Sequence, residues 1–314
     1  MFEALQKMDG ARLNFSDGGL LVLNIAIAVI MFGVALEIKV SHFKELFKKP
    51  KPVIVGFLSQ FLVLPLLTFL LVMAFWKNLT AGVAMGMILV AACPGGNVSN
   101  FLSTHAKGNA ALSVSLTAIA TMVAVVLTPF NFYFYGKLYK AFGPWVENAL
   151  LRELTINPIE MLKTVVILLG IPIVLGLTVN HKFPKLTEKI KKPIKIFSLL
   201  FFIGLVIIMI ANNYNHFVKY IYWIFVIVFI HNALAISSGY GFAKLFRLNT
   251  TNSRTIAIET GIQNSGLGLV LLFNPNIFPQ DLALGGMMIV TAWWGIWHII
   301  SGLTISTIWR KKTV

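Results

Sequence analysis

A single cysteine, Cys93, stands in 314 residues. That excludes an intrachain disulfide and any cysteine-built metal cluster. Acidic residues are also scarce, 11 Asp and Glu against 26 Lys and Arg, for a formal charge of +15. In a water-soluble chain this imbalance would suggest nucleic acid. Here no surface interleaves basic and aromatic residues as nucleic acid requires, so no nucleic-acid partner is expected. Neither H-E-x-x-H nor G-x-S-x-G occurs, so the zinc or serine centre of an intramembrane hydrolase is missing and no enzyme is expected. No apolar core followed by a small-residue cleavage site opens the chain, so no cleavable signal is expected. Phe2, Leu5 and Met8 make one face of a short interfacial helix if residues 1–17 are ordered; a frayed end is the alternative.

What the chain has in abundance is apolar surface. It is 57% hydrophobic with a mean hydropathy of +0.82, above the roughly 45–50% apolar content of soluble domains. The pattern predicts an all-α polytopic membrane protein. Nine candidate spans fall near 18–38, 52–75, 80–104, 109–135, 158–179, 194–213, 217–243, 255–273 and 283–308. Pro65, Pro129 and Pro172 lie within spans, where they should kink the helix. The basic residues concentrate in alternate loops: Lys39, Lys44, Lys48, Lys49 and Lys51; Lys182 to Lys195; Arg310, Lys311 and Lys312. By the positive-inside rule the N-terminus lies outside and the C-terminus in the cytoplasm, as expected for a multi-pass cell (inner) membrane protein. The tail after the last span is too short for a soluble domain.

Two spans are interrupted. Residues 255–273 carry Glu259, Thr260, Gln263, Asn264 and Ser265, with Gly261, Gly266 and Gly268 among them. A carboxylate at mid-bilayer costs about 2.5–3.5 kcal/mol on insertion scales, so it marks a functional site by default. Unwound backbone is tolerated at that depth only inside protein or along a cavity. The bland reading is a polar contact between helices through small residues. Residues 80–104 contain AACPGGNVSNFLSTH, where Pro94 removes a donor and Gly95 and Gly96 loosen the chain. These two broken helices run in opposite directions, one in each half. Such a pair points to inverted repeats and a midplane site. After an extramembrane or interfacial segment at 1–17, the first repeat would be 18–140, with four helices and its break at 93–100. The second would be 155–310, with five helices and its break at 259–266, so the symmetry is incomplete.

Each break leaves carbonyl ends that suit a cation and N–H ends that suit an anion. Glu259 is the one acid placed deep in a span, and no Lys or Arg lies as deep. It is therefore either protonated or paired with a bound cation. Ser99, Asn100 and Gln263 offer hard oxygens. Ser113 and Thr117, four apart, share a helix face, although membrane hydroxyls also bond their own backbone. Gln60 is either a ligand or an interhelical bond. His298 is either a substrate or proton contact, or a hydrogen-bonded structural residue; His231 reads as structural. Cys93 reads as a small packed residue, and Trp293, Trp294 and Trp297 pack or face lipid.

The chain resembles the bile acid:sodium symporter family. The matching pieces are MFGVALEIK at 31–39, SQFLVLPL at 59–66, CPGGNVSN at 93–100, GNAALSVSLT at 108–117, IAIETGIQNSGLG at 256–268 and WHIISG at 297–302. The resemblance implies a ten-helix inverted-repeat fold of core and panel domains, with two crossing broken helices; this chain looks like the shorter, nine-helix form. It implies two sodium ions. One would be held by Ser99, Asn100, Ser113, Thr117 and Glu259. The other would use Gln60, Glu259 and Gln263, with carbonyls of Thr260 and Ile262. Substrate would lie near Gly96, Asn97, Val98, Asn264, His298 and Ile299. Asn97 and Ile299 stand where the family commonly has Thr and Asn. The implied activity is sodium symport of an organic monoanion, bile-acid-like or small and pantoate-like, by alternating access. The alternative is a proton-coupled carrier or exchanger with Glu259 as the proton carrier.

Overall fold

The computed structural model describes residues 2–9, 17–36, 50–143, 158–212, 214–274, 277–278 and 282–311. Lys39, Lys44, Lys48, Lys49 and Lys312 lie outside the described residues, as do positions 37–39 of the first family-like piece. Everything with regular structure among the described residues is helix: α1 Phe2–Asp9, α2 Asp17–Leu36, α3 Pro50–Leu58, α4 Leu64–Ala74, α5 Ala81–Ala92, α6 Val98–His105, α7 Ala110–Phe142, α8 Pro158–Val165, α9 Ile171–Lys182, α10 Pro184–Asn212, α11 Tyr214–Leu245, α12 Thr250–Gly261, α13 Ser265–Leu272 and α14 Gly285–Lys311.

Among the described residues four stretches are long and apolar enough to cross a membrane by themselves: Pro50–Ala74, Ala110–Phe142, Ile221–Leu245 and Gly285–Lys311. Their outer faces carry apolar side chains that water would not accept. Leu62, Leu66 and Leu70 recur every fourth residue and are exposed, as are Val126, Phe130 and Phe134. Such stripes face lipid.

Local sequence explains where helices begin and how they bend. Thr80, Asn109, Asn249 and Asn264 each cap a helix by accepting an N–H three residues on. Pro65 and Pro172 do not simply kink their spans. Each follows a π-helical turn, at Ser59–Val63 and Val166–Gly170, that joins α3 to α4 and α8 to α9. Pro129 is accommodated inside a continuous α7. The Lys182–Lys195 stretch, read from sequence as a loop, is mostly helical, because α10 starts at Pro184 directly after Phe183. Proline suits a helix start, and the exposed Lys185, Lys189 and Lys192 ride its first turns.

Packing falls into two groups. In one, α2 lies against α9 and α10. In the other, α5 is buried along its whole length, with α14, α4 and α7 around it. The helix at the N-terminus is ordered and docks on α5, α11 and α14, with Leu5 wholly buried. The side chain of Met8 lies outside those described.

Candidate functional site

The first break begins at Cys93, which is extended (φ −71°, ψ 156°) as a residue before proline must be. The second begins at Ile262 (φ −109°, ψ 87°). The two breaks cross and bond to each other as a short antiparallel bridge between Gly95 and Gln263. Gly96 N–H donates to the Ile262 carbonyl at 2.7 Å, and Asn264 N–H donates to the Pro94 carbonyl at 2.7 Å. Unwound backbone in an apolar interior needs such partners. Gly95 lets the two breaks approach closely: a Cβ there would lie 3.1 Å from Glu259 Oε2 and 3.4 Å from Gln60 Oε1 and would press those side chains aside by a few tenths of an ångström.

Around this crossing the structure gathers Ser99, Asn100, Ser113, Thr117 and Glu259. Ser99 Oγ donates to Glu259 Oε1 at 2.6 Å, Ser113 Oγ bonds the same oxygen, and Thr117 Oγ1 donates to Oε2 at 3.0 Å. Asn100 Oδ1 accepts from Ser113 at 3.0 Å and from Thr117 at 3.2 Å. Thr117 Oγ1 also lies within bonding distance of the Ser113 carbonyl, at 3.1 Å, and its single proton serves one of these acceptors at a time. Ser115 and Thr121, on the same helix, bond backbone carbonyls. Glu259 is 2% exposed and is ringed by hydroxyls, whereas ion pairs such as Lys163–Glu160 are exposed. Each hydroxyl that donates its proton keeps lone pairs on the same oxygen. A hard cation entering this ring would find four side-chain oxygen donors beside a carboxylate.

A second polar group joins Gln60, Gln263 and Thr260 at the same crossing. Gln60 Nε2 donates to Gln263 Oε1 at 2.8 Å and to the Cys93 carbonyl at 3.3 Å. Gln263 Nε2 donates to the Thr260 carbonyl at 2.7 Å. The Ile262 carbonyl is taken by Gly96. Thr260 itself bonds Ser59 through their hydroxyls at 2.8 Å.

Of the residues expected near substrate, all but His298 are more open. Gly96, Asn97 and Asn264 are half-buried and Val98 is exposed, although Ser99 beside them is fully buried. Asn97 caps α6 without a side-chain bond, whereas Asn264 Oδ1 caps α13 by accepting Leu267 N–H at 3.0 Å, leaving its NH2 group as donor. His298 is buried with Nδ1 unpartnered, and Ile299 is half-buried. His231 bonds Thr68 at 2.8 Å and lies on Trp294 at 4.7 Å, a structural setting. Cys93 and Trp294 are wholly buried.

Two supports were not read from the sequence. Asn232 Nδ2 donates to the Gly261 carbonyl at 2.7 Å, and Ser301 Oγ donates to Asn232 Oδ1 at 2.5 Å. Asn131 Nδ2 donates to the Phe61 carbonyl at 2.9 Å. A lone amide within an apolar span was the available signal for each.

Residues 24–220 match the model of the sodium bile acid symporter family. The chain belongs to that family. It is 33% identical over 290 residues to the uncharacterized sodium-dependent transporter YocS of Bacillus subtilis, covering 92% of this chain and 83% of that one. It is 31% identical over 250 residues to the human ileal sodium/bile acid cotransporter, covering 78% and 67%. A probable sodium/metabolite cotransporter of Arabidopsis thaliana chloroplasts is 29% identical over 291 residues, covering 92% and 66%. This symporter-family chain is thus a multi-pass membrane transporter and not an enzyme, with sodium as the co-transported ion its family implies.

Proposed function

We propose that the chain is a symporter that couples inward movement of two sodium ions to one organic monoanion by alternating access. The observation that carries this reading is the buried ring of Ser99, Asn100, Ser113 and Thr117 around Glu259 where the broken helices cross. One sodium ion would take those oxygens. The second would take Gln60, Glu259 and Gln263 with the Thr260 and Ile262 carbonyls, after the bonds these groups now make to each other open. Glu259, between the two, is shared. The protein spans the membrane nine times, N-terminus outside. Its inverted repeats divide into a core carrying the crossing and a panel of the α2, α9 and α10 kind.

The anion is held without a basic side chain, by the N–H ends of α6 and α13 and by the amides of Asn97 and Asn264, with His298 nearby. Each helix end carries about half a positive charge, and bound sodium raises the local potential further, so sodium binds first and the anion second. Ile299 favours an apolar substrate body, bile-acid-like or smaller. With two cations and one monoanion, each cycle moves one net charge, worth about 2.3 kcal/mol per 100 mV.

The test is a thermal-shift and binding titration of the purified protein with sodium, with potassium as control. Monocarboxylates and their uncharged amides are then added at saturating sodium. Sodium should raise the melting temperature, and acids should bind more tightly than their amides. Sodium-independent flux driven by pH in proteoliposomes would replace this mechanism with proton coupling through Glu259.

A further inference from the structure

Pro65 has no N–H, so the carbonyls of Phe61 and Gln60, four and five residues before it, lose the donor that position 65 would supply. In an apolar interior such carbonyls need another partner. The chain answers in two ways. It widens to a π turn over Ser59–Val63, with Leu64 N–H reaching back to the Ser59 carbonyl. It also turns the Phe61 carbonyl toward α7, where the buried Asn131 donates to it at 2.9 Å. A carbonyl can only accept, so the amide must present its NH2 here. The π turn carries Gln60, whose side chain reaches Gln263 at 2.8 Å and the Cys93 carbonyl at 3.3 Å, one contact in each break. Asn131 lies fourteen residues beyond Thr117 on the same helix, close to four full turns, so both face the interior from one side of α7.

We infer that Asn131 is a positioning residue for ion binding: by taking the Phe61 carbonyl it holds the π turn that delivers Gln60 to the crossing. The inference rests on the reading of Gln60 as a sodium ligand. It makes α7 serve both ion positions, one through Ser113 and Thr117 directly and the other through Asn131 at one remove. A residue that merely glues two helices would set stability alone. A positioning residue sets where Gln60 sits.

The experiment therefore has two readouts. The first follows Gln60 itself: Gln60→Cys with Gln263→Cys, in a Cys93→Ser background, bridged by mercuric ion. Asn131→Leu should abolish the bridge, and a bridge formed as before would overturn the inference whatever sodium does. The second is the sodium concentration for half-maximal thermal stabilisation. Asn131→Leu should raise it roughly five- to tenfold, the scale of one buried hydrogen bond, and should raise it no further in a Gln60→Ala background. Where Gln60→Ala itself weakens sodium binding, equal penalties in both backgrounds, or a lowered melting temperature with unchanged sodium response, would return Asn131 to helix glue. If Asn131→Leu folds poorly, Pro65→Ala restores an N–H at position 65 for the orphan carbonyl. The double variant should then fold but bind sodium weakly, because an α turn replaces the π turn and swings Gln60 by about 100°. A double variant with parental sodium affinity would overturn the proposal. If instead Gln60→Ala leaves the sodium response intact while Asn131→Leu still abolishes the bridge, the ligand role of Gln60 fails and the positioning by Asn131 stands.

Discussion

The two breaks do the same job by different means. At 93–97 the cause is local: Pro94 cannot donate, the residue before it must be extended, and the helix stops at Ala92. At 262–264 there is no proline. There the helix is opened by its surroundings: Asn232 takes the Gly261 carbonyl, Gly96 takes the Ile262 carbonyl, and Asn264 turns its N–H to Pro94. One break is written into its own residues, and the other is imposed by partners far along the chain. The helix starts differ in the same way. The half-helix α12 is tied to α7 by neutral groups, Asn109 Nδ2 to Asn252 Oδ1 at 2.9 Å and Asn109 N–H to Thr255 Oγ1 at 2.7 Å. The half-helix α5 is tied instead by a carboxylate on α1. Asp9 accepts from Thr80 at 3.1 Å and from Gly82 N–H at 3.2 Å. It sits where a side chain on Gly82 or on Gly286 of α14 would collide with it.

The largest expected effect falls on what the two broken helices share. Glu259 comes from the second and its partner Ser99 from the first; Glu259→Gln keeps the volume and removes the charge. The sodium-dependent rise in melting temperature should vanish, and a rise equal to the parent's would sink the shared-carboxylate reading. Next is Asn232→Leu, which strands the buried Gly261 carbonyl at a cost of about 1–3 kcal/mol. Chemical denaturation should register that loss together with weakened sodium binding; a neutral result would mean the second break is held by something else. Pro94→Ala should cost less, roughly 0.5–1 kcal/mol through the unfolded chain, because the bridge still holds the first break open. If it proves costlier than Asn232→Leu, the contrast between local and imposed breaks is reversed.

The smallest effect concerns pH. Burial pushes the Asp9 carboxyl from its ordinary value of 3.8 up to about 7. The folded seat thus favours the protonated form. Its contribution is complete at low pH and is lost as pH rises from about 4 through about 7. A melting-temperature profile of the parent should fall across that window more than that of Asp9→Asn. Parallel profiles would show that the seat does not titrate.

Legibility followed the same division. Four of the apolar spans, both breaks and the burial of Glu259 could be read from residue order, because hydropathy, charge and the backbone habits of proline and glycine act locally. The gathering of Ser113 and Thr117 with Ser99 came from family likeness, since a shared helix face says nothing about what it faces. Asn131, Asn232 and the seat of Asp9 escaped reading because each acts on backbone 29 to 73 residues away. The π turns escaped as well, since a proline in a span announces a disturbance without saying whether the chain will bend or widen.

The bridge between the breaks has a consequence for chain length. It pairs Pro94 with Asn264 and Gly96 with Ile262 in fixed register. Downstream of it, α6 and α13 wind from those anchor points. Each residue in a helix advances the phase by about 100°. Deleting one residue between Gly96 and Ser99 would leave both bridge bonds intact yet rotate the Ser99 hydroxyl away from Glu259. The breaks can therefore exchange side chains far more freely than they can change length: they act as a spacer whose count of residues sets the angular phase of the oxygens behind it.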